Sequence, residues 1–203
     1  MNRARSFGLA LIAVVALCGL AAPAAGAANF TADEYPTVLE GGQVTTHKFT
    51  FGTTRIECAD VTFKAELTKA ATELTVFPEF GGCLAHIFEA TEPVTFTFGC
   101  DLGLVASSAT EGSLNIKCAA GKAIAIDIGA ICTITISGQG PLNGLKYKNL
   151  GGTGGIEVTT GANLLAKSSG LFCPKGEVVS WTGTTIYTFK SGKTSLPIHG
   201  DVG

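Results

Sequence analysis

Residues 94–104 read VTFTFGCDLGL. Val94, Phe96, Phe98, Cys100, Leu102 and Leu104 fall on one side of an extended chain, and Thr95, Thr97, Gly99, Asp101 and Gly103 on the other. Successive side chains of a strand point to opposite faces, so this alternation gives one apolar and one polar face, as in an antiparallel sheet packed on one side. The same period recurs in His47-Phe49-Phe51, Val61-Phe63-Ala65-Leu67, Leu114-Ile116-Cys118, Ile124-Ile126-Ile128 and Cys132-Ile134-Ile136, while Trp181, Tyr187 and Phe189 share one face of a late strand. No stretch holds an apolar helical period over three turns. Gly81-Gly82, Asn143-Gly144, Gly151-Gly152 and Gly154-Gly155 read as turns between strands. About ten short strands without helical crossovers predict an all-β domain. An antiparallel β-sandwich is the expected form, with an irregular β-barrel as the alternative, stapled by disulfides.

The cysteines can be paired by register. Opposed residues in an antiparallel hairpin have numbers that sum to a constant. For strands near 100–106 and 112–118, a sum of 218 sets Leu104 against Leu114, Leu102 against Ile116 and Cys100 against Cys118, all on one face. Directly opposed Cα atoms lie within disulfide reach. For strands near 61–67 and 74–80, a sum of 141 sets Leu67 against Leu74, Ala65 against Val76, Val61 against Phe80 and Cys58 against Cys83. Those two cysteines fall on the wrong face unless a bulge or bend at Ala59-Asp60, opposite Gly81-Gly82, turns them inward. Cys132 and Cys173 pair by elimination. A third hairpin needs an odd loop, such as Gly129-Ala130-Ile131, to keep Ile124, Ile126 and Ile128 on the face of Cys132, Ile134 and Ile136.

Residues 1–27 carry Arg3 and Arg5, an apolar run from Phe7 to about Ala22, and an Ala25-Gly26-Ala27 cleavage site, the layout of a secretory signal peptide. A lipoprotein beginning at Cys18 is the rival reading, but Leu17 stands where a small residue is wanted. The expected organisation is a cleaved segment 1–27, a single β domain over 28–190 and a flexible C-terminal tail over 191–203. Gly151–Gly155 reads as a loop within that domain rather than a linker. Removal of 1–27 leaves 12 basic and 16 acidic residues, a net charge of −4, with six cysteines. An even cysteine count in an exported chain reads as a disulfide framework. The chain has 15% charged and 46% hydrophobic residues, which excludes disorder for most of its length, and its mild acidity excludes a nucleic-acid footprint. No later segment is long and apolar enough for a transmembrane segment.

Catalytic signals are weak. Gly192-Lys193-Thr194 lacks the upstream glycine of a P-loop, with Tyr187 in its place, and Gly138-Gln139-Gly140 leads to Pro141 and Asn143 rather than a dinucleotide fingerprint. His47, His86 and His199 are scattered, without metal-ligand spacing. Cys83 and His86 are close enough in sequence for a nucleophile pair, but an exported thiol is expected in a bridge. Glu57 with Asp60, and Glu89 with Glu92, are nominal carboxylate pairs whose flanks suggest solvated charge. Trp181 reads as core; Tyr35 and Tyr147, near turns, read as exposed rings. No residue is assigned a catalytic, cofactor or metal role, so the site residues are Cys58, Cys83, Cys100, Cys118, Cys132 and Cys173.

The strand–cysteine segments IECADVTF, GGCLA, VTFTFGC, NIKCAAGKAIAI and CTITI resemble the Thr- and Gly-rich exported β-proteins of unknown function found in actinobacteria. The resemblance implies export and β-structure and carries no active-site residue. Three functions follow from the sequence. The expected one is a secreted, non-catalytic extracellular or cell-envelope module that has a structural role or binds cell-wall glycan or an extracellular protein. A secreted hydrolase with loop-borne carboxylates is the alternative. The third is a protease inhibitor presenting Leu84–Pro93 as an exposed loop.

Overall fold

The computed structural model describes residues 28–87, 89–192 and 197–203. The segment read as a signal peptide, with Cys18, lies outside the described residues, as do Lys193 and Thr194 of the P-loop-like motif.

Eight strands form a closed antiparallel barrel. They are β2 (Thr37–Phe51), β3 (Thr54–Leu67), β4 (Glu73–Ile87), β6 (Cys100–Ala106), β7 (Glu111–Cys118), β10 (Gln139–Asn149), β11 (Gly155–Leu165) and β13 (Val178–Ser191). Their order around the wall is β4-β3-β2-β13-β11-β10-β7-β6, and β6 closes the ring on β4. A branch of β5 (Ala90–Phe98), β8 (Ile124–Ile128), β9 (Cys132–Ile136) and β12 (Lys167–Ser169) leaves the ring at β4. The architecture is therefore the barrel alternative rather than a two-sheet sandwich. The deciding contact is β4 with β6, where Glu73–Val76 pair with Val105–Leu102.

The strands are also longer than the expected short ones. β2 and β4 have 15 residues and β3 and β13 have 14. A straight strand of that length runs about 50 Å, too far for both ends to face one compact core. A line of irregularities bends all four. β13 shifts register within Thr182–Thr185 and β2 between Gly42 and His47. β3 and β4 lose one pair between Cys58↔Cys83 and Asp60↔Gly81, where Gly82 takes a left-handed φ of 59°. Across this corner the buried face of β3 passes from Ile56 and Cys58 to Val61, Phe63, Ala65 and Leu67. Gly81-Gly82 thus lies inside a strand and not in a turn. Asn143-Gly144 also lies inside a strand, at a register shift of β10 against β7. Gly151–Thr153 form a single 3₁₀ turn joining β10 to β11.

The hairpins follow the arithmetic. Cys100↔Cys118, Leu102↔Ile116 and Leu104↔Leu114 are opposed, as are Ile124↔Ile136 and Ile128↔Cys132 around the three-residue loop 129–131. Disulfides join Cys58 to Cys83, Cys100 to Cys118 and Cys132 to Cys173. The sum of 141 holds from Arg55↔His86 to Ala65↔Val76, but Leu67↔Leu74 is not formed, because the start of β4 turns to β6.

The expected C-terminal tail, 191–203, is partly ordered in strands. Ser191 ends β13, β14 (Pro197–Ile198) pairs with Phe189 and Lys190, and β15 (Gly200–Val202) pairs with β1 (Phe30–Ala32). The cause is burial. Val202 and Phe30 are covered by the core, and Gly200 lies so close over the Phe189 ring that a Cβ would meet it at 2.5 Å.

Between Val76↔Leu102 and Cys83↔Val94 the wall opens. Residues 77–82 keep only β3 as partner, while 95–101 leave β4, pairing through β5 with β8 and through β6 with β7. Pro78, which has no N–H to donate, falls in this stretch, as expected for a strand edge. At the junction a Cβ on Gly99 would stand 2.8 Å from the Ala123 carbonyl oxygen. Packed rings fill the space behind the gap. Phe80 stacks on Phe96 at 4.6 Å and Phe49 on Trp181 at 5.4 Å. A void of about 20 Å³ remains among them, room for roughly one water.

Tyr187 crosses the opposed residue Gly41, whose added Cβ would stand 2.9 Å from the ring. Gly41→Ala is expected to cost about 1–3 kcal/mol by overpacking. Gly42→Ala, with nothing within 4 Å of the new Cβ, should cost far less. Urea unfolding of the two variants measures the difference as a shift in midpoint.

Candidate functional site

The polar group deepest in the barrel is His47, which the register of β2 points inward to complete burial. Gly183 makes room for it, since a Cβ there would lie 2.6 Å from the imidazole. Trp181 Nε1–H donates to His47 Nδ1 at 3.1 Å, and His47 Nε2 lies 3.0 Å from Thr185 Oγ1. An indole nitrogen only donates, so Nδ1 must accept and the proton sits on Nε2. Burial lowers the pKa of His47 to about 4, with a main-chain hydrogen bond at Thr184 opposing the shift. Its ring neighbours are Phe63, Phe80 and Trp181. With both nitrogens engaged and aromatic rings around it, this histidine pins β2 to β13.

The other histidines stand elsewhere. His86 lies on the outer wall at 3.9 Å from Glu57, and the main chain of His199 pairs with Asp33 near the chain's end. Among the described residues, no three His, Cys, Asp or Glu side chains group as a metal site requires.

Glu57 is held in an ion cluster. Lys48, directly opposite it on β2, approaches to 3.1 Å and Arg55 to 3.4 Å. The Lys48 hydrogen bond, then the charges of Arg55, Lys48 and His86, lower its pKa against a smaller opposing effect of burial. A general acid needs the opposite shift. Asp60 is exposed beyond the bend in β3, Glu89 is exposed in the β4–β5 turn, and Glu92 leans over Gly129. Cys83 is bonded to Cys58, so no thiol faces His86. The Leu84–Pro93 segment is not a protruding loop. Its arms pair as a hairpin from Leu84↔Pro93 to Ile87↔Ala90, which engages the main chain an inhibitor would offer.

Of the two tyrosines expected on the surface, Tyr35 is exposed and its hydroxyl accepts from Ala32 N at 3.0 Å. Tyr147 is buried instead. It donates to the Val105 carbonyl at 3.1 Å and meets Phe30 edge-on at 5.5 Å. The signal was present in the alternation Leu145-x-Tyr147, which continues the inward face of β10. Burial raises the pKa of both Tyr147 and Tyr187. Trp181 is core.

Large apolar side chains left in water concentrate near the Cys132–Cys173 bridge. Leu165 and Val178, opposed on β11 and β13, are 63% and 46% exposed. Leu171 and Phe172 are 94% and 59% exposed, in the loop that Cys173 ties to β9. That loop is seated by Gly170, which has a φ of 130° and where an added Cβ would stand 2.3 Å from the Ile131 carbonyl oxygen, and by Ser168 Oγ–H donating to the Pro174 carbonyl at 3.1 Å. Beside it a groove of about 330 Å³ is lined by Thr135, Ser137, Gln139, Leu165, Lys167 and Glu177, among others. The Gln139 side chain completes one wall. Its amide donates to the Leu165 carbonyl and accepts from Leu165 N, both at 2.8 Å, as a strand neighbour would. With the Gln139 amide engaged in this way, the polar groups left on the groove are the Thr135 and Ser137 hydroxyls and the side chains of Lys167 and Glu177.

Comparison with known protein families, curated proteins and solved structures yields no match for this chain.

The His47 shift sets a pH dependence. The unfolded histidine takes up a proton below about pH 6.5, while the folded one refuses it until about pH 4. Stability supplied by neutral His47 is therefore complete above that window and falls through it on acidification, by about 3 kcal/mol. Urea unfolding at pH 7 and pH 4, beside a His47→Gln variant whose loss over the same interval is smaller by that amount, measures it.

Proposed function

We propose that the protein is an exported, non-catalytic module of the extracellular space or cell envelope, acting through its outer surface. The observation that carries this reading is a closed barrel filled with side chains and clamped by three disulfides. The interior of such a barrel is packed with side chains around a void of about 20 Å³, and its bridges form and persist in an oxidising compartment. The carboxylate nearest to a clustered site, Glu57, is tuned toward an ion pair rather than proton transfer. Among the described residues, no helix is long and apolar enough to cross a membrane. The exposed Leu171 and Phe172 and the neighbouring groove support a surface role. Cell-wall glycan and extracellular protein are the two partner classes the reading admits.

Expression with the native N-terminus, followed by N-terminal sequencing and fractionation, tests export. The expected product starts at Ala28 and contains no free thiol. The mature domain is then titrated against cell-wall glycans and assayed on glycosidase and peptidase substrates. Binding that Phe172→Ser weakens, without turnover, supports the proposal. Turnover lost on replacing one carboxylate would overturn it.

A further inference from the structure

The three disulfides are not equivalent. Cys58, Cys83 and Cys132 are buried at 4% exposure or less, and Cys173, joined to Cys132, is half-buried. Cys100–Cys118 is the bridge with both of its cysteines half-buried, at the start of β6 and the end of β7. It also closes the shortest loop, with a sequence separation of 18 against 25 and 41. A shorter loop constrains the unfolded chain less. The two strands remain joined without it, through six further opposed pairs from Asp101↔Lys117 to Ala106↔Gly112. Half-burial of both cysteines and low structural cost therefore coincide at this bridge, whereas Cys132–Cys173 has one buried partner and closes the longest loop.

Its position gives the opening a consequence. Cys100 lies within the stretch 95–101 that has left β4, where the wall is unpaired. Phe80, Phe96 and Phe98 stand half-buried at this gap, with ring centroids 4.6 to 6.1 Å apart. Gly99 and Cys100 are where the chain passes from its β8 partner to its β7 partner, and the bridge fixes that point to β7.

We propose that Cys100–Cys118 is a thiol–disulfide exchange site, opened in the folded protein by a dithiol reductant, and that it latches the wall over the phenylalanine ladder. A reductant thiolate attacks one Sγ and displaces the other cysteine as a thiolate, which takes up a proton. The second reductant thiol then attacks the mixed disulfide and releases the remaining cysteine. Two electrons pass to the protein, two cysteine thiols form and the reductant leaves as its cyclic disulfide. Buried bridges do not admit the approaching thiolate, whereas partly exposed ones exchange readily. The proposal needs the bridge to be formed and is independent of the partner that the outer surface binds.

The oxidised protein is treated with dithiothreitol without denaturant, quenched with iodoacetamide and mapped by peptide mass. Cys100 and Cys118 are expected to become alkylated faster than the other four cysteines, by about tenfold or more. The circular dichroism spectrum should hold, while anilinonaphthalene sulfonate fluorescence rises as the ladder is uncovered. Another bridge opening first, all three opening together, loss of the β spectrum on opening, or a silent dye would each overturn the proposal. A C100S/C118S double variant supplies an independent arm. It should fold and bind the dye without reductant; an unfolded or dye-silent variant contradicts the latch.

Discussion

A strand long enough to belong to two walls must bend without turning its apolar face outward, and this barrel depends on solving that problem four times over. β2, β3, β4 and β13 each cross one corner line. β13 and β2 cross it by shifting register, and β3 and β4 by dropping one pair where Gly82 takes a left-handed conformation. A bulge adds twist and re-aims the side chains that follow it. Without it, Cys58 and Val61 could not both face inward, because their parities differ. With it, the buried side chains on both sides of the corner, Phe49 and Ile56 on one and Leu39 and Phe63 on the other, share one core.

The corner also explains the placement of the one buried histidine. Where strands bulge, main-chain pairing is irregular and a side chain that spans two strands can restore rigidity. His47 does this between Trp181 and Thr185, beside Gly183, the residue small enough to admit its ring. Neighbouring Gln43 makes a similar link on the other side, its amide donating to the Ala59 carbonyl at the bend of β3. Buried His47 and half-buried Gln43 thus serve the geometry of the wall. A fully satisfied buried polar pair fixes register in a way that interchangeable aliphatic contacts do not.

Local features of this fold were legible in the sequence, and non-local ones were not. Parity along each segment places Phe96, Leu104, Ile126 and Ile134 inward, and the sums for the 100–118 and 124–136 hairpins depend only on adjacent segments. Even the bend at Ala59-Asp60 is readable, because the parity of Cys58 conflicts with that of Val61. The β4–β6 contact is different. It joins residues already committed to other hairpins, and nothing in the pattern of Glu73–Val76 distinguishes an edge that closes a ring from one left open. Asn143-Gly144 reads as a turn because that dipeptide favours left-handed backbone. Here Gly144 uses the freedom inside a strand, at φ 118°, where its missing Cβ admits the Gly161 carbonyl oxygen. The pairing of 200–202 is non-local in the same way, since the missing Cβ of Gly200 is the space for the Phe189 ring.

The candidate site was less legible because surface function in such a fold does not rest on a motif. Catalytic motifs are readable when chemistry demands fixed spacing on one element. Here the exposed apolar groups come from β11, the β12–β13 loop and β13, assembled by the Cys132–Cys173 bridge across 41 residues. Leu171 and Phe172 alternate with nothing, and in sequence they resemble the end of one more strand. Their exposure follows from Gly170 and Cys173 on either side, which fasten the loop to β9 and leave its apolar crest no interior to enter. In a barrel whose core is full, residues fastened in this way stay in water.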